Sequence, residues 1–109
     1  ADGKLSCMMT QRSSDYAVAG GWNVATGALL TIMLASITNL LPGTLTWNMG
    51  DTHVYKNLTD DFSSQLRRAP YTFPLLYISK KDQITDYEFT DLKLVNYLHH
   101  DPIAFKMSV

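Results

Sequence analysis

The sequence holds one cysteine, Cys7, and no run of like charge longer than two residues, and no Asp, Glu, Lys, Arg or His stands between Tyr16 and Gly50. A lone thiol excludes an internal disulfide and a paired-cysteine metal site. Nine basic residues against ten acidic ones, a formal charge of -1, argue against nucleic-acid phosphates or an anionic membrane as a main partner. There is no phosphate-cradling Gly-x-x-x-x-Gly-Lys loop, and no Gly-x-Ser-x-Gly elbow that would let Ser13 act as a nucleophile aided by His53. His99-His100 lack the helical spacing that zinc prefers. No positively charged leader precedes an apolar stretch, so a cytoplasmic, reducing location is expected and Asn57-Leu58-Thr59 reads as an accidental glycosylation match.

What is present is apolar: 46% hydrophobic residues, 11% of the chain aromatic, enough for a core in 109 residues. The charge-free stretch poses a choice, because a helix from about Asn23 to Leu41 would be roughly 28 Å long, near the hydrocarbon thickness of a bilayer. It contains Asn23, Thr26, Gly27, Thr31, Ser36, Thr38 and Asn39, and lacks a flanking Lys or Arg cluster and an aromatic belt. We therefore expect a helix buried on most sides of a soluble core rather than a membrane span.

Asp2-Gly3 is a tight-turn signal, and the strand after it, Lys4 to Arg12, alternates Leu5, Cys7 and Met9 with Ser6, Met8 and Thr10. A hairpin needs two strands, so a partner strand is expected before Ala1. Asn23 is placed like a helix N-cap, and Pro42-Gly43 like a helix stop. Thr44 to Trp47 reads as a buried strand entering a turn-rich stretch, Asn48 to Asp51. Leu58, Phe62 and Leu66 recur every four residues, with Asp60 and Asp61 before Arg67 and Arg68, as in an amphipathic surface helix. Pro74 to Lys80 and Phe89 to Tyr97 read as strands around a polar connection. Residues 1–109 are expected to form part of one α+β domain with a mixed β-sheet, a long buried central helix and a surface amphipathic helix.

Three polar groups could carry chemistry: Gln11-Arg12-Ser13-Ser14-Asp15 at a strand end, Asn23 at a helix start, and Gly50-Asp51-Thr52-His53-Val54-Tyr55 after a strand. Each has a plain structural reading as well. Arg12 can pair with a surface carboxylate, Asn23 can cap its helix, and His53 can pack near a turn.

Together with Asp2-Gly3-Lys4-Leu5-Ser6-Cys7, Asn23-Val24-Ala25, Ala28-Leu29-Leu30, Gln65-Leu66 with Arg68 and Pro70, and Asp86-Tyr87 with Phe89, these runs resemble the thymidylate synthase family in order and in spacing across the chain. The resemblance implies reductive methylation of dUMP to dTMP, with 5,10-methylenetetrahydrofolate supplying carbon and hydride, in a homodimer. It implies that Arg12 and Ser13, followed by Ser14 and Asp15, hold the nucleotide; a guanidinium offers phosphate oxygens a planar fork. It further implies that Asn23 reads uracil O4 and N3-H, that His53 and Tyr55 hold the ribose, and that Asp15 accepts hydrogen bonds from the folate pterin. Trp22 would wall the folate, and the tail at Ser108-Val109 would close over it. No metal is implied.

In the same family the nucleophile is a cysteine on the strand before the Asp-Gly turn, so it is expected upstream of this chain, in an N-terminal segment that would be a necessary partner. Cys7 matches a different position. Ala19-Gly20-Gly21-Trp22 replaces a usual Gly-x-Pro-Phe, and Asn48-Met49 replaces a usual Thr-Gly. These departures keep two alternatives open: a dUMP or dCMP hydroxymethylase of the same superfamily, and a non-catalytic nucleotide-binding or assembly module.

Overall fold

The computed structural model describes residues 2–107, with helices and strands in the order β1 (Lys4–Asp15), α1 (Gly21–Ile37), β2 (Leu41–His53), α2 (Thr59–Leu66), β3 (Leu75–Ile78) and β4 (Leu92–Val95). The chain is α+β. Asp2 and Gly3 both take positive φ, 55° and 65°, the backbone that a type I′ turn demands at its two central positions. β1 then follows its alternation, with Leu5, Cys7, Met9, Gln11 and Ser13 half-buried and Lys4, Ser6, Met8, Thr10 and Arg12 exposed.

β1 and β2 run parallel, from Lys4 opposite Leu41 to Asp15 opposite His53, with one irregularity between Leu5 and Cys7. Parallel neighbours cannot be joined by a tight turn, and a turn of π-helix (Tyr16–Gly20) followed by α1 makes the crossover. The structure here changes the expected helix start. α1 begins at Gly21, its N-cap is Gly20, and Asn23 lies inside the first turn and caps nothing.

Burial of α1 is also narrower than expected, being confined to a stripe of small residues, Gly27, Thr31 and Ala35, four apart. That spacing brings one face of the helix against the strands. A Cβ on Gly27 would fall 2.3 Å from Trp47 Cζ3 and 2.9 Å from Met9 Sδ, so only hydrogen fits there. The polar residues of the helix satisfy themselves locally: Thr31 Oγ1 donates to Gly27 O at 2.8 Å, Thr26 Oγ1 to Trp22 O at 2.9 Å, and Thr38 Oγ1 to Leu34 O at 2.7 Å. By length and composition the continuous helix Tyr16–Ile37 could cross a membrane, but its buried stripe faces protein.

The helix stops before Pro42-Gly43, contrary to expectation. Asn39 takes φ 57°, Asn39 N–H donates to Ser36 O at 3.2 Å, and Leu40 N–H donates to Ala35 O at 2.8 Å. This pair of bonds is the Schellman termination, with Asn in the left-handed position. Pro42 and Gly43 instead belong to β2, which continues unbroken through the expected turn at Asn48–Asp51.

The second half is looser. Leu58 is 1% exposed and anchors α2 from its N-cap position, Phe62 is half-buried, and Leu66 is 69% exposed. β3 and β4 form a separate antiparallel pair, so among the described residues two two-stranded sheets stand where one mixed sheet was expected. Phe89–Asp91, expected in a strand, is a 3-10 turn closed by a reciprocal Glu88–Asp91 capping box.

Candidate functional site

Parallel pairing brings the carboxyl ends of β1 and β2 to the same end of the sheet. Ser13 lies opposite Asp51, Ser14 opposite Thr52 and Asp15 opposite His53. The approach is close, since a Cβ on Gly50 would meet Arg12 O at 2.8 Å. Residues 38 apart in sequence thus share one lip of the sheet because a helix returns the chain in the same direction.

This lip holds polar atoms without partners. Ser14 Oγ, Asp15 Oδ1 and His53 Nδ1 are buried and form no hydrogen bond; the fourth such atom among the described residues, the Tyr87 hydroxyl, lies elsewhere in the chain. His53 Nδ1 stands 3.4 Å from Asp51 Oδ1, outside hydrogen-bond geometry. Buried polar groups are nearly always paired, with protein, water or ligand, so the two orphans at paired positions on one face, Asp15 Oδ1 and His53 Nδ1, mark a candidate place for a polar molecule, while Ser14 Oγ lies on the opposite face. The His53 ring packs edge-on against Tyr55, with centroids 5.1 Å apart and planes at 86°, which fixes both rings relative to the strand end.

Deeper along the same face is an open cleft of about 520 Å³, with Met9, Gln11, Asn23, Thr26 and Trp47 in its walls. A chain of hydrogen bonds runs through it. Trp47 Nε1 donates to Gln11 Oε1 at 3.0 Å, and Gln11 Nε2 donates to Asn23 Oδ1 and to Ser13 O, both at 3.0 Å. Asn23, the expected reader of a base, is therefore attached to β1 and β2 through Gln11.

The expected site residues are brought together unevenly. By strand alternation and register, Ser13, Asp15 and His53 share the face of the sheet that carries Gln11 and Trp47, and Tyr55 is held beside His53. Arg12 and Ser14 alternate to the other side, Arg12 exposed and Ser14 buried, and none of Arg12, His53 and Tyr55 lines the cleft around Asn23. Trp22, on the first turn of α1, is 80% exposed and lines a second, shallower hollow with Gly21, Ala25, Thr26 and Tyr97. Ser108 and Val109 lie outside the described residues. Among those residues no group of three or more His, Cys, Asp or Glu is arranged to hold a metal ion. Cys7 is half-buried in the middle of β1, away from the lip.

Sequence reasoning grouped Gln11 with the polar run at the strand end without giving it a role, and did not single out Trp47. Their signal was available in part: an amide one residue before Arg12, and a tryptophan on a strand otherwise rich in small polar residues. Neither predicts the other without the register that sets Met9, not Gln11, directly opposite Trp47.

The thymidylate synthase family model matches residues 1–109. The chain is 47% identical over 109 residues to a bifunctional dihydrofolate reductase-thymidylate synthase of Paramecium tetraurelia, covering 100% of this chain and 24% of that protein. It is 42% identical over 107 residues to the bifunctional protein of Leishmania major, covering 97% of this chain and 21% of that one. A thymidylate synthase of Francisella tularensis subsp. holarctica is 44% identical over 110 residues, covering 100% of this chain and 40% of the relative. This chain therefore spans less than half the length of these curated relatives, and with its whole length matched it belongs to the thymidylate synthase family.

Proposed function

We propose that residues 1–109 supply the nucleotide and folate contacts of a thymidylate synthase, which methylates dUMP to dTMP with 5,10-methylenetetrahydrofolate as donor of carbon and hydride. The observation that carries this reading is the pair of orphaned polar atoms, Asp15 Oδ1 and His53 Nδ1, at paired strand ends on one face. In this proposal His53 and Tyr55 hold the ribose, Ser13 and Ser14 add hydroxyl donors beside the phosphate, and Asp15 accepts hydrogen bonds from the pterin. Asn23 offers Nδ2 to uracil O4 and Oδ1 to N3-H, and cytosine presents the opposite pattern. Arg12 holds the phosphate with its guanidinium fork. Trp22 and the tail at Ser108-Val109 enclose the folate.

The covalent step belongs to a cysteine thiolate other than Cys7, and the contribution of this chain is orientation. Holding the pyrimidine so that C6 and C5 face their reactants removes much of the entropic barrier. The same proposal includes a homodimer in the cytoplasm, with the N-terminal segment that carries the nucleophile as an obligatory partner.

The test is product analysis with the complete protein, dUMP and methylenetetrahydrofolate. Thymidylate formed together with dihydrofolate is the expected result. Hydroxymethyl-dUMP with tetrahydrofolate assigns the hydroxymethylase reaction instead, and tight dUMP binding with no product assigns a binding module.

A further inference from the structure

The chain of hydrogen bonds in the cleft has a direction, and two groups of fixed polarity impose it, the Trp47 indole and the Ser13 carbonyl. An indole N–H can only donate, so Trp47 Nε1, at 3.0 Å from Gln11 Oε1, requires the Gln11 carbonyl to face β2. The Gln11 NH2 must then face the other way. It donates one hydrogen to Asn23 Oδ1 and the other to Ser13 O, which leaves Gln11 with no donor for a ligand. Asn23 is in turn fixed with its oxygen towards Gln11. Its Nδ2 hydrogens remain uncommitted among the described residues, as does the second lone pair of Oδ1. A reversed Gln11 would set its NH2 against the indole N–H, donor against donor, and its oxygen against Ser13 O, acceptor against acceptor.

We propose that Trp47 is a positioning residue that, together with the Ser13 carbonyl, acts through Gln11 to set the polarity of Asn23, so that the cleft selects a pyrimidine with a carbonyl at ring position 4 over one with an amine there. The proposal rests on the reading of Asn23 given above. With the polarity fixed, Nδ2 donates to O4 and Oδ1 accepts from N3-H. Cytosine then brings its amine against Nδ2 and leaves its bare N3 facing a carbonyl oxygen. Without the indole donor only the Ser13 carbonyl still holds Gln11, the two amides turn over together more readily, and the penalty against the cytosine pattern falls.

Trp47→Phe keeps an aromatic ring against Gly27 and Met9 and removes the donor. Gln11→Glu keeps the size and still accepts from Trp47, but its carboxylate recruits Asn23 Nδ2 and turns the Asn23 oxygen outward. The measurement is calorimetric binding of dUMP and dCMP to the complete protein and to each variant. The dUMP-over-dCMP ratio is expected to fall in W47F, mainly through gained dCMP affinity, and further, by at least about tenfold, in Q11E. Both nucleotides weakened by the same factor, with the ratio unchanged in either variant that folds, would show a merely structural role and overturn the proposal alone. A wild-type protein that binds both nucleotides equally would overturn the reading of Asn23 and this proposal with it.

Discussion

Gly27 leaves a hydrogen where any other residue would place carbon against Trp47 and Met9. Gly27→Ala forces the indole or the helix to move, and overpacking of this kind costs about 1–3 kcal/mol. The expected result in the complete protein is a lower urea midpoint with an unchanged slope; an unaltered midpoint would show that the contact relaxes freely. At this scale the sequence carried chemistry better than placement. The pattern around Gln11 to Asp15 and Gly50 to Tyr55 is visible as residue types, and β1 alternation alone predicts that Arg12 and Ser13 leave on opposite sides. What remained hidden was the pairing partner of each group. Asn23 reads as a cap because its position in sequence precedes an apolar run, whereas its bond to Gln11 depends on where β1 passes the helix.

Among the elements, the stop of α1 at Asn39 shows how a local rule was displaced. Proline and glycine are strong punctuation, yet an asparagine three residues earlier already closes the helix with two backbone bonds, and the side chain of Lys80 donates to its Oδ1. The 3-10 turn at Phe89–Asp91 was missed for a similar reason, since an apolar alternation says nothing of a reciprocal cap. That turn has a pH signature. The Glu88 backbone N–H first, and Lys81 second, hold the Asp91 carboxyl below the ordinary 3.8, while the hydrogen bond to Asp91 holds Lys81 above its ordinary 10.5. A depressed carboxyl contributes stability above 3.8 that is lost as pH falls through its lowered value, and a raised amine contributes stability below 10.5 that is lost as pH rises through its raised value. The pair therefore adds no pH dependence near neutrality. Backbone amide resonances of Glu88 and Asp91 are expected to shift only in strong acid, and Asp91→Asn is expected to abolish the shift; movement near pH 7 would refute the assignment.

For the whole molecule, α+β character and the long apolar helix were legible from composition and periodicity, but the degree of burial was not. Among the described residues the buried hydrophobic core comprises Ala17, Ala35 and Leu58, while Trp22, Phe73 and Phe89 are each at least 80% exposed. The radius of gyration, 16.3 Å, exceeds the roughly 13 Å of a compact domain of about this length. Periodicity reports how much apolar surface a segment offers and not which surface covers it. Expressed alone, residues 1–109 are expected to show a broad, non-cooperative thermal transition by circular dichroism and to bind hydrophobic dye. A sharp two-state melt would overturn that expectation.

The parallel ribbon of β1 and β2 is chemically graded along its length. Leu5, Cys7 and Met9 run beside Leu45 at one end, and hydroxyl, carboxylate and imidazole groups gather at the other. Mutational tolerance is thereby divided between two halves of the same pair of strands: Leu5, Cys7 and Leu45 can drift among similar volumes with little effect on chemistry, whereas the far half can change its polar groups without disturbing the apolar contacts at the other end.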